Sequence, residues 1–169
     1  MWILLPLITA ATTVYFVPHS HIDVGWIDVT SYYYTEHGSK IMNTMLTLLE
    51  EKPDRKFCWS EAFFFANWLK DHPDYIPRLR RLVENGQLEI AGGGWVMNDE
   101  ALTDFENVAR QVEAGHKFLR EQLGVGPIKV AWQLDPFGHS SVTPAIFERL
   151  GFEYMVMSRV DGNYRVISK

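Results

Sequence analysis

Two histidines and an aspartate near the start of the chain have a spacing that suits metal binding. His19, His21 and Asp23 occupy alternate positions after the apolar run at residues 14–17, and alternate side chains of an extended backbone point the same way. Imidazole nitrogen and carboxylate oxygen are suitable ligands for a borderline cation such as Zn²⁺. The alternative is a polar loop whose histidines satisfy backbone carbonyls. The spacing also occurs in amidohydrolase barrels and metallo-β-lactamase-like hydrolases, so it favours a metal centre without identifying the reaction.

A second candidate is Asp135, in the segment WQLDPFGHS at residues 132–140, where it ends an apolar, strand-like run. A carboxylate buried at such a point must be paired, bound to a metal or catalytic, because an unpaired buried charge is costly. An aspartate that caps a turn before Pro136 explains the same segment equally well. From this segment alone both interpretations stay open.

Strand-like and helical segments alternate along the chain, and this order predicts how the candidate side chains are positioned. Strands are predicted at residues 14–17, 56–60, 87–91, 128–134 and 153–158, and helices at residues 35–51, 61–70, 72–85, 103–123 and 144–150. The alternation predicts βαβ units around a mainly parallel sheet. Ligands bind such folds at the carboxyl ends of the strands. The candidate residues His21, Asp23, Asp135 and Arg159 all follow predicted strands.

The helix predicted at residues 103–123 has the clearest boundary signals. Thr103 and Glu106 match a capping box at its start. Phe105 begins an apolar stripe that continues at helical spacing. Gly124 follows the last apolar residue and predicts the end of the helix.

Composition limits the classes of protein that the chain can belong to. Its 169 residues are 47% apolar and carry a net charge of −5, which predicts one globular domain or part of one. Acidic and basic residues are interspersed, so a nucleic-acid partner is disfavoured and a soluble enzyme with a neutral or cationic substrate is favoured. Cys58 is the only cysteine, which excludes a disulfide within the chain and is best explained as a buried packing thiol.

The first eleven residues are apolar and end in small residues. This pattern is typical of the core and cleavage zone of a secretory signal peptide, although no basic residue precedes it. The run is too short to cross a bilayer, which takes about 20 residues. The leader therefore predicts a protein of the secretory pathway whose mature part begins near residue 12.

Three longer motifs resemble the signatures of glycoside hydrolase family 38, the class II α-mannosidases. They are PHSHIDVGW at residues 18–26, GGWVMNDEA at residues 93–101 and WQLDPFGHS at residues 132–140. Their order and separation match those of the family, and the similarity extends from about residue 14 to residue 160. The details are more similar to the lysosomal branch than to the Golgi processing branch.

The resemblance implies a retaining, zinc-dependent α-mannosidase and assigns roles to particular residues. His21, Asp23 and Asp135 would be zinc ligands, and Asp135 would also be the catalytic nucleophile. Trp26 would line the sugar subsite, and Arg159 would be a charged partner of the nucleophile. The substrate implied is terminal α-linked mannose on an oligosaccharide or a glycoprotein glycan, hydrolysed in the lysosome or outside the cell.

The resemblance also implies that the site extends beyond this chain. The family's catalytic domain is a seven-stranded (β/α) barrel, of which residues 12–169 would form the first part. The remaining zinc ligand, a histidine, and the general acid would lie beyond residue 169, so the chain alone is expected to be inactive. Two alternatives remain: another metal-dependent hydrolase of the amidohydrolase or deacetylase type, or a non-enzymatic truncated product.

Overall fold

Residues 13–161, the part of the chain that the computed structural model describes, form six α-helices and four short strands, with one or two helices before each strand. A π-helical turn at Tyr34–Gly38 joins the first two helices, and a 3₁₀ turn at Pro73–Tyr75 precedes the fourth. In chain order the elements are α1 (Thr30–Tyr33), α2 (Ser39–Glu51), β1 (Phe57–Trp59), α3 (Ala62–Asp71), α4 (Ile76–Glu84), β2 (Leu88–Ile90), α5 (Phe105–Leu123), β3 (Val130–Gln133), α6 (Thr143–Arg149) and β4 (Tyr154–Met157).

The strands pair in parallel, in two sheets of two strands each. β1 pairs with β2, and β3 pairs with β4. The amide of Gly92 donates to the carbonyl of Val130 at 2.7 Å and so connects the end of β2 to β3. The prediction of an α/β chain with parallel strands is confirmed, although the strands are shorter than predicted and form two small sheets.

The prediction of a buried first strand at residues 14–17 is wrong. Phe16 is 89% exposed, and its three neighbours in this run are exposed as well. The segment touches β1 only at its end, where the Cys58 amide donates to the Pro18 carbonyl at 2.9 Å and His19 forms a single parallel bridge. An apolar run becomes buried only when other elements cover it, and nothing within residues 13–161 covers this one.

The core lies between the strands and helices α2 to α5, and it is rich in aromatic side chains. Trp59 of β1 and three aromatic residues of α3 are fully buried. Each such side chain stabilises the fold by about 1.5–3 kcal/mol. Cys58 is buried beside them, and burial raises the pKa of its thiol to about 11, as expected of a packing thiol.

Helix α5 begins one residue later than a Thr103 cap would require. The Asp104 side chain accepts a hydrogen bond from the Asn107 amide at 2.8 Å and is the N-cap, so the predicted capping box is wrong. A carboxylate caps a helix at least as well as a hydroxyl does. Phe105 lies beyond the buried stripe and is exposed. Gly124 ends the helix with φ 71°, as predicted.

Helix α5 contacts the glycine-rich loop after β2 without intervening side chains. A Cβ atom at Gly115 would lie 2.2 Å from the carbonyl oxygen of Gly93, so only glycine fits there. The Trp95 amide donates to the Gln111 carbonyl at 3.0 Å. This contact fixes the start of the second motif. None of the helices in residues 13–161 combines the length and apolar character that a membrane crossing requires.

Candidate active site and metal centre

His21 and Asp23 lie on one side of the loop that follows the bridge at His19. Ile22, between them, is buried in the core, and side chains alternate along extended backbone. The apolar contact of Ile22 therefore turns both flanking polar side chains the other way. His21 Nε2 lies 3.4 Å from Asp23 Oδ1.

Asp135 reaches the same point from the end of β3. Its Oδ2 atom lies 3.6 Å from His21 Nε2, and ligand atoms of His21, Asp23 and Asp135 all lie within 4.8 Å of one another. These three residues could hold one cation between them, and we call them the metal-binding group. Bonds of about 2.1 Å arranged tetrahedrally separate neighbouring zinc ligands by about 3.4 Å, which the two imidazole–carboxylate distances match.

Chemistry and spacing of the metal-binding group both fit Zn²⁺. The group offers one imidazole nitrogen and two carboxylates, which are ligand types that this ion accepts. Two carboxylates so close together repel each other unless a positive charge lies near both. Three protein ligands leave room for a further ligand or for substrate.

Arg159 meets Asp135 because of the register of the second sheet. Gln133 pairs with Met157 in the parallel β3–β4 ladder, so the residues two positions further on, Asp135 and Arg159, face each other. Arg159 Nη2 lies 2.8 Å from Asp135 Oδ1, and its guanidinium lies over the Phe137 ring. The two oxygens of Asp135 therefore have different neighbours: Oδ1 faces Arg159, and Oδ2 faces His21.

Trp26 and His19 lie near the metal-binding group in sequence but are not part of it. The side chain of Trp26, three residues after Asp23, is 76% exposed. Its role in sugar binding stays a prediction. His19 packs its ring edge-on against Trp132, with 5.5 Å between the ring centroids.

A buried carboxylate that sequence reasoning did not assign holds two motifs together. Glu100, in the loop after β2, accepts hydrogen bonds from His139 Nδ1 at 3.0 Å, the Ser140 amide at 2.7 Å and the Thr143 hydroxyl at 2.5 Å. It thereby ties the second motif to the loop that carries Asp135. Local patterns carry no signal for this contact, because the partners lie about 40 residues further along the chain.

Glu61 lies behind His21 and is almost completely buried. Its Oε1 atom is 3.8 Å from His21 Nδ1, and its side chain is 1% exposed. Burial raises the pKa of its carboxyl to about 7.

Two solved structures share the fold of this chain. An alpha-mannosidase from Enterococcus faecalis V583 superposes with a TM-score of 0.74 at 21% identity, over 83% of this chain and 16% of that one. A 4-alpha-glucanotransferase from Thermococcus litoralis superposes with a TM-score of 0.65 at 26% identity, over 84% of this chain and 22% of that one. The chain therefore has the α/β fold found in part of each of these enzymes.

Sequence comparison gives the family. The Glycosyl hydrolases family 38 N-terminal domain matches residues 11–166. Alpha-mannosidase C of Dictyostelium discoideum is 41% identical over 91% of this chain and 14% of its own length. Alpha-mannosidase 2x of Mus musculus is 45% identical over 87% of this chain and 13% of its own length. The chain belongs to glycosyl hydrolase family 38, and it spans about one-seventh of the length of these two relatives.

Proposed function

We propose that this chain is part of a zinc-dependent, retaining α-mannosidase that removes terminal α-linked mannose from oligosaccharides or glycoprotein glycans. The observation that carries the proposal is the metal-binding group, in which His21, Asp23 and Asp135 offer ligand atoms within 4.8 Å of one another. Family membership and the names of the relatives support mannose as the sugar.

The metal-binding group would hold the zinc ion. When bound, Zn²⁺ supplies positive charge beside the reacting sugar and a binding point for its hydroxyl groups. Asp135 attacks the anomeric carbon, and the bond from that carbon to the leaving-group oxygen breaks as a mannosyl ester forms. Water then cleaves the ester and the configuration is retained.

Arg159 would orient the nucleophile, and Trp26 would contact the sugar. The guanidinium of Arg159, 2.8 Å from Asp135 Oδ1, orients the carboxylate by a charge-assisted hydrogen bond. The exposed ring of Trp26 offers an apolar face on which a pyranose can stack.

The remaining parts of the site are proposed to lie outside this chain. Residues 12–169 would form the first part of a seven-stranded (β/α) barrel, and later segments would supply a histidine ligand and the general acid. The 169-residue chain is then inactive by itself. The apolar leader at residues 1–11, which lies outside the described residues, and the match to a relative named lysosomal alpha-mannosidase support the secretory pathway, and the lysosome in particular.

Replacing the nucleophile tests the proposal. In the full-length protein that contains this chain, Asp135→Asn should lower kcat on an aryl α-mannoside by about 10³-fold or more, because the amide is a poor nucleophile. Asp54→Asn, at an exposed turn, is the control and should keep wild-type turnover. Unchanged turnover in the Asp135 variant would remove this residue from the mechanism.

Covalent labelling separates this mechanism from that of the other metal hydrolases. A mechanism-based mannosyl fluoride should label Asp135 in the wild-type protein, and mass spectrometry of the peptide that contains residue 135 detects the adduct. Metal-dependent turnover without a labelled residue would favour a metal-activated water instead.

A further inference from the structure

Glu61 is a buried acid whose side chain does not stabilise the helix that it precedes. It is the residue before α3, but its side chain makes no capping hydrogen bond. Within residues 13–161, neither of its carboxylate oxygens has a hydrogen bond of ordinary geometry. The Ser60 side chain and the backbone of Glu61 and Ile22 lower the pKa of the carboxyl, but they offset only part of the rise that burial causes. A carboxylate placed this way destabilises the fold unless another group compensates for it.

Glu61 faces the edge of the His21 ring that carries Nδ1. His21 Nδ1 lies 3.8 Å from Glu61 Oε1, whereas Nε2 of the same ring faces Asp23 and Asp135. A histidine that binds a metal through Nε2 carries its proton on Nδ1, and that proton needs an acceptor. Glu61 is the carboxylate on that side of the ring.

We propose that Glu61 is a positioning residue for the metal centre. Its carboxylate accepts a hydrogen bond from Nδ1–H of His21, which fixes the tautomer and the ring orientation and leaves the Nε2 lone pair on the side of the ring that faces Asp23 and Asp135. The separation of 3.8 Å exceeds a hydrogen bond, and a shift of about 1 Å closes it. This inference rests on the proposed metal centre and extends it by one residue.

Metal affinity provides the test. In the full-length protein, stripped of metal and titrated with Zn²⁺ against a chromophoric chelator, Glu61→Gln should raise the Kd for Zn²⁺ about 10- to 100-fold, the range found when outer partners of metal-binding histidines are removed. Glu89→Gln is the matched control, since Glu89 is an exposed acid on the neighbouring strand β2. It should leave the Kd unchanged.

Two further readouts separate positioning from a general structural role. The metal-free Glu61→Gln protein should have the same or a higher Tm than the metal-free wild type, because a neutral amide costs less to bury than a carboxyl group that can ionise. The visible absorption spectrum of the Co²⁺-substituted protein should change in Glu61→Gln but not in Glu89→Gln. A lower metal-free Tm with an unchanged Kd and spectrum would overturn the proposal.

A double-mutant cycle tests whether Glu61 acts through His21. In a His21→Ala background, adding Glu61→Gln should cause no further loss of Zn²⁺ affinity; an undiminished further loss would overturn the proposal. If Glu61→Gln does not fold, Glu61→Asp carries the same tests, with a smaller expected loss. A wild-type protein that binds no divalent metal overturns both this inference and the proposed metal centre, whereas equal Kd values for wild type and Glu61→Gln overturn this inference alone.

Discussion

At the scale of single residues, the two oxygens of Asp135 have separate neighbours. Oδ1 lies 2.8 Å from Arg159, and Oδ2 lies 3.6 Å from His21. Only the Oδ1 contact is short enough for a hydrogen bond, so Arg159 is the residue that limits rotation of the carboxylate about its last bond. The pair is accessible to water, with the Arg159 side chain 56% exposed, so its value lies in orientation more than in stability.

We expect Arg159→Gln to lower kcat about tenfold on an aryl α-mannoside, with a smaller change in KM. One charge-assisted hydrogen bond is worth about 1.5–3 kcal/mol, and exposure to solvent reduces this to the lower end of that range. Steady-state kinetics of the full-length protein measure both constants. Arg149→Gln, at the exposed end of α6, is the control, and an unchanged kcat in the Arg159 variant would contradict the orienting role.

The residues of this site were only partly predictable from the sequence. The alternation of His21 and Asp23 around Ile22 was visible, because a period of two is a local property of extended backbone. The contact between Asp135 and Arg159 depends on the register of β3 and β4, which the sequence alone did not determine. The environment of Glu61 requires knowledge of the packing between elements distant in the chain.

At the scale of elements, Glu100 and Gly115 hold the second motif in place from two sides. Glu100 attaches it to the loop that carries Asp135, and Gly115 lets helix α5 contact its backbone. Neither residue is close enough in sequence to its partners for a local pattern to reveal the contact. Helix and strand positions, by contrast, followed from periodicity, and most differed from the prediction only at their ends.

Glu100→Gln should loosen the loop that carries Asp135. An amide in place of the carboxylate removes the negative charge and leaves one acceptor oxygen, whereas two oxygens of Glu100 now accept three hydrogen bonds. We expect the Ser140 amide to exchange with solvent deuterium about 10- to 100-fold faster, which corresponds to the loss of about 1–3 kcal/mol.

Hydrogen–deuterium exchange of the peptide that spans residues 136–143 gives this rate. Thr143→Val, which removes one of the three donors, should cause a smaller acceleration. Equal exchange in Glu100→Gln and wild type would show that the contact does not hold the loop.

Gly115→Ala should destabilise the contact between α5 and the glycine-rich loop. The added methyl group would lie 2.2 Å from the Gly93 carbonyl oxygen, and relief of such overpacking costs about 1–3 kcal/mol or more. The variant should have a lower Tm and be cut faster by protease near residues 92–95. Gly126→Ala adds the same methyl group where nothing lies within 4 Å, and it should behave like the wild type.

At the scale of the whole molecule, the described residues leave several apolar segments exposed, and the run at residues 14–17 is one of them. Residues 14–17 expose four apolar or aromatic side chains beside β1. The prediction of a buried strand there was wrong because burial depends on elements that residues 13–161 do not supply. The chain spans about one-seventh of its two named relatives, and the barrel itself stays a prediction.

Stability of the fold should depend on pH through His116, which joins α5 to the loop after β2. Burial lowers the pKa of His116, although its ring nitrogen bonds the Gly92 carbonyl at 2.9 Å. A folded-state pKa below the ordinary value means that the unfolded chain takes up the proton first. The contribution of neutral, buried His116 to the free energy of unfolding is therefore complete above about pH 6.5, the ordinary pKa of histidine. It is lost as the pH falls toward the lower pKa of the folded state.

The full-length protein with His116→Gln should therefore lose less stability between pH 7 and pH 5 than the wild type does. Urea unfolding followed at several pH values measures the difference. His37→Gln, outside this contact, is the comparison variant. A pH dependence identical in His116→Gln and wild type would show that this histidine does not contribute.

The pairing of Gln133 with Met157 has a consequence for how the chain tolerates insertions. Asp135 lies two residues after Gln133 on one strand, and Arg159 lies two residues after Met157 on the other. One additional residue in either short segment would turn its last side chain to the opposite face of the sheet and separate the pair. The connection through α6 can change in length without this effect, so we expect an engineered insertion there to keep the contact between Asp135 and Arg159 and one at either strand end to break it.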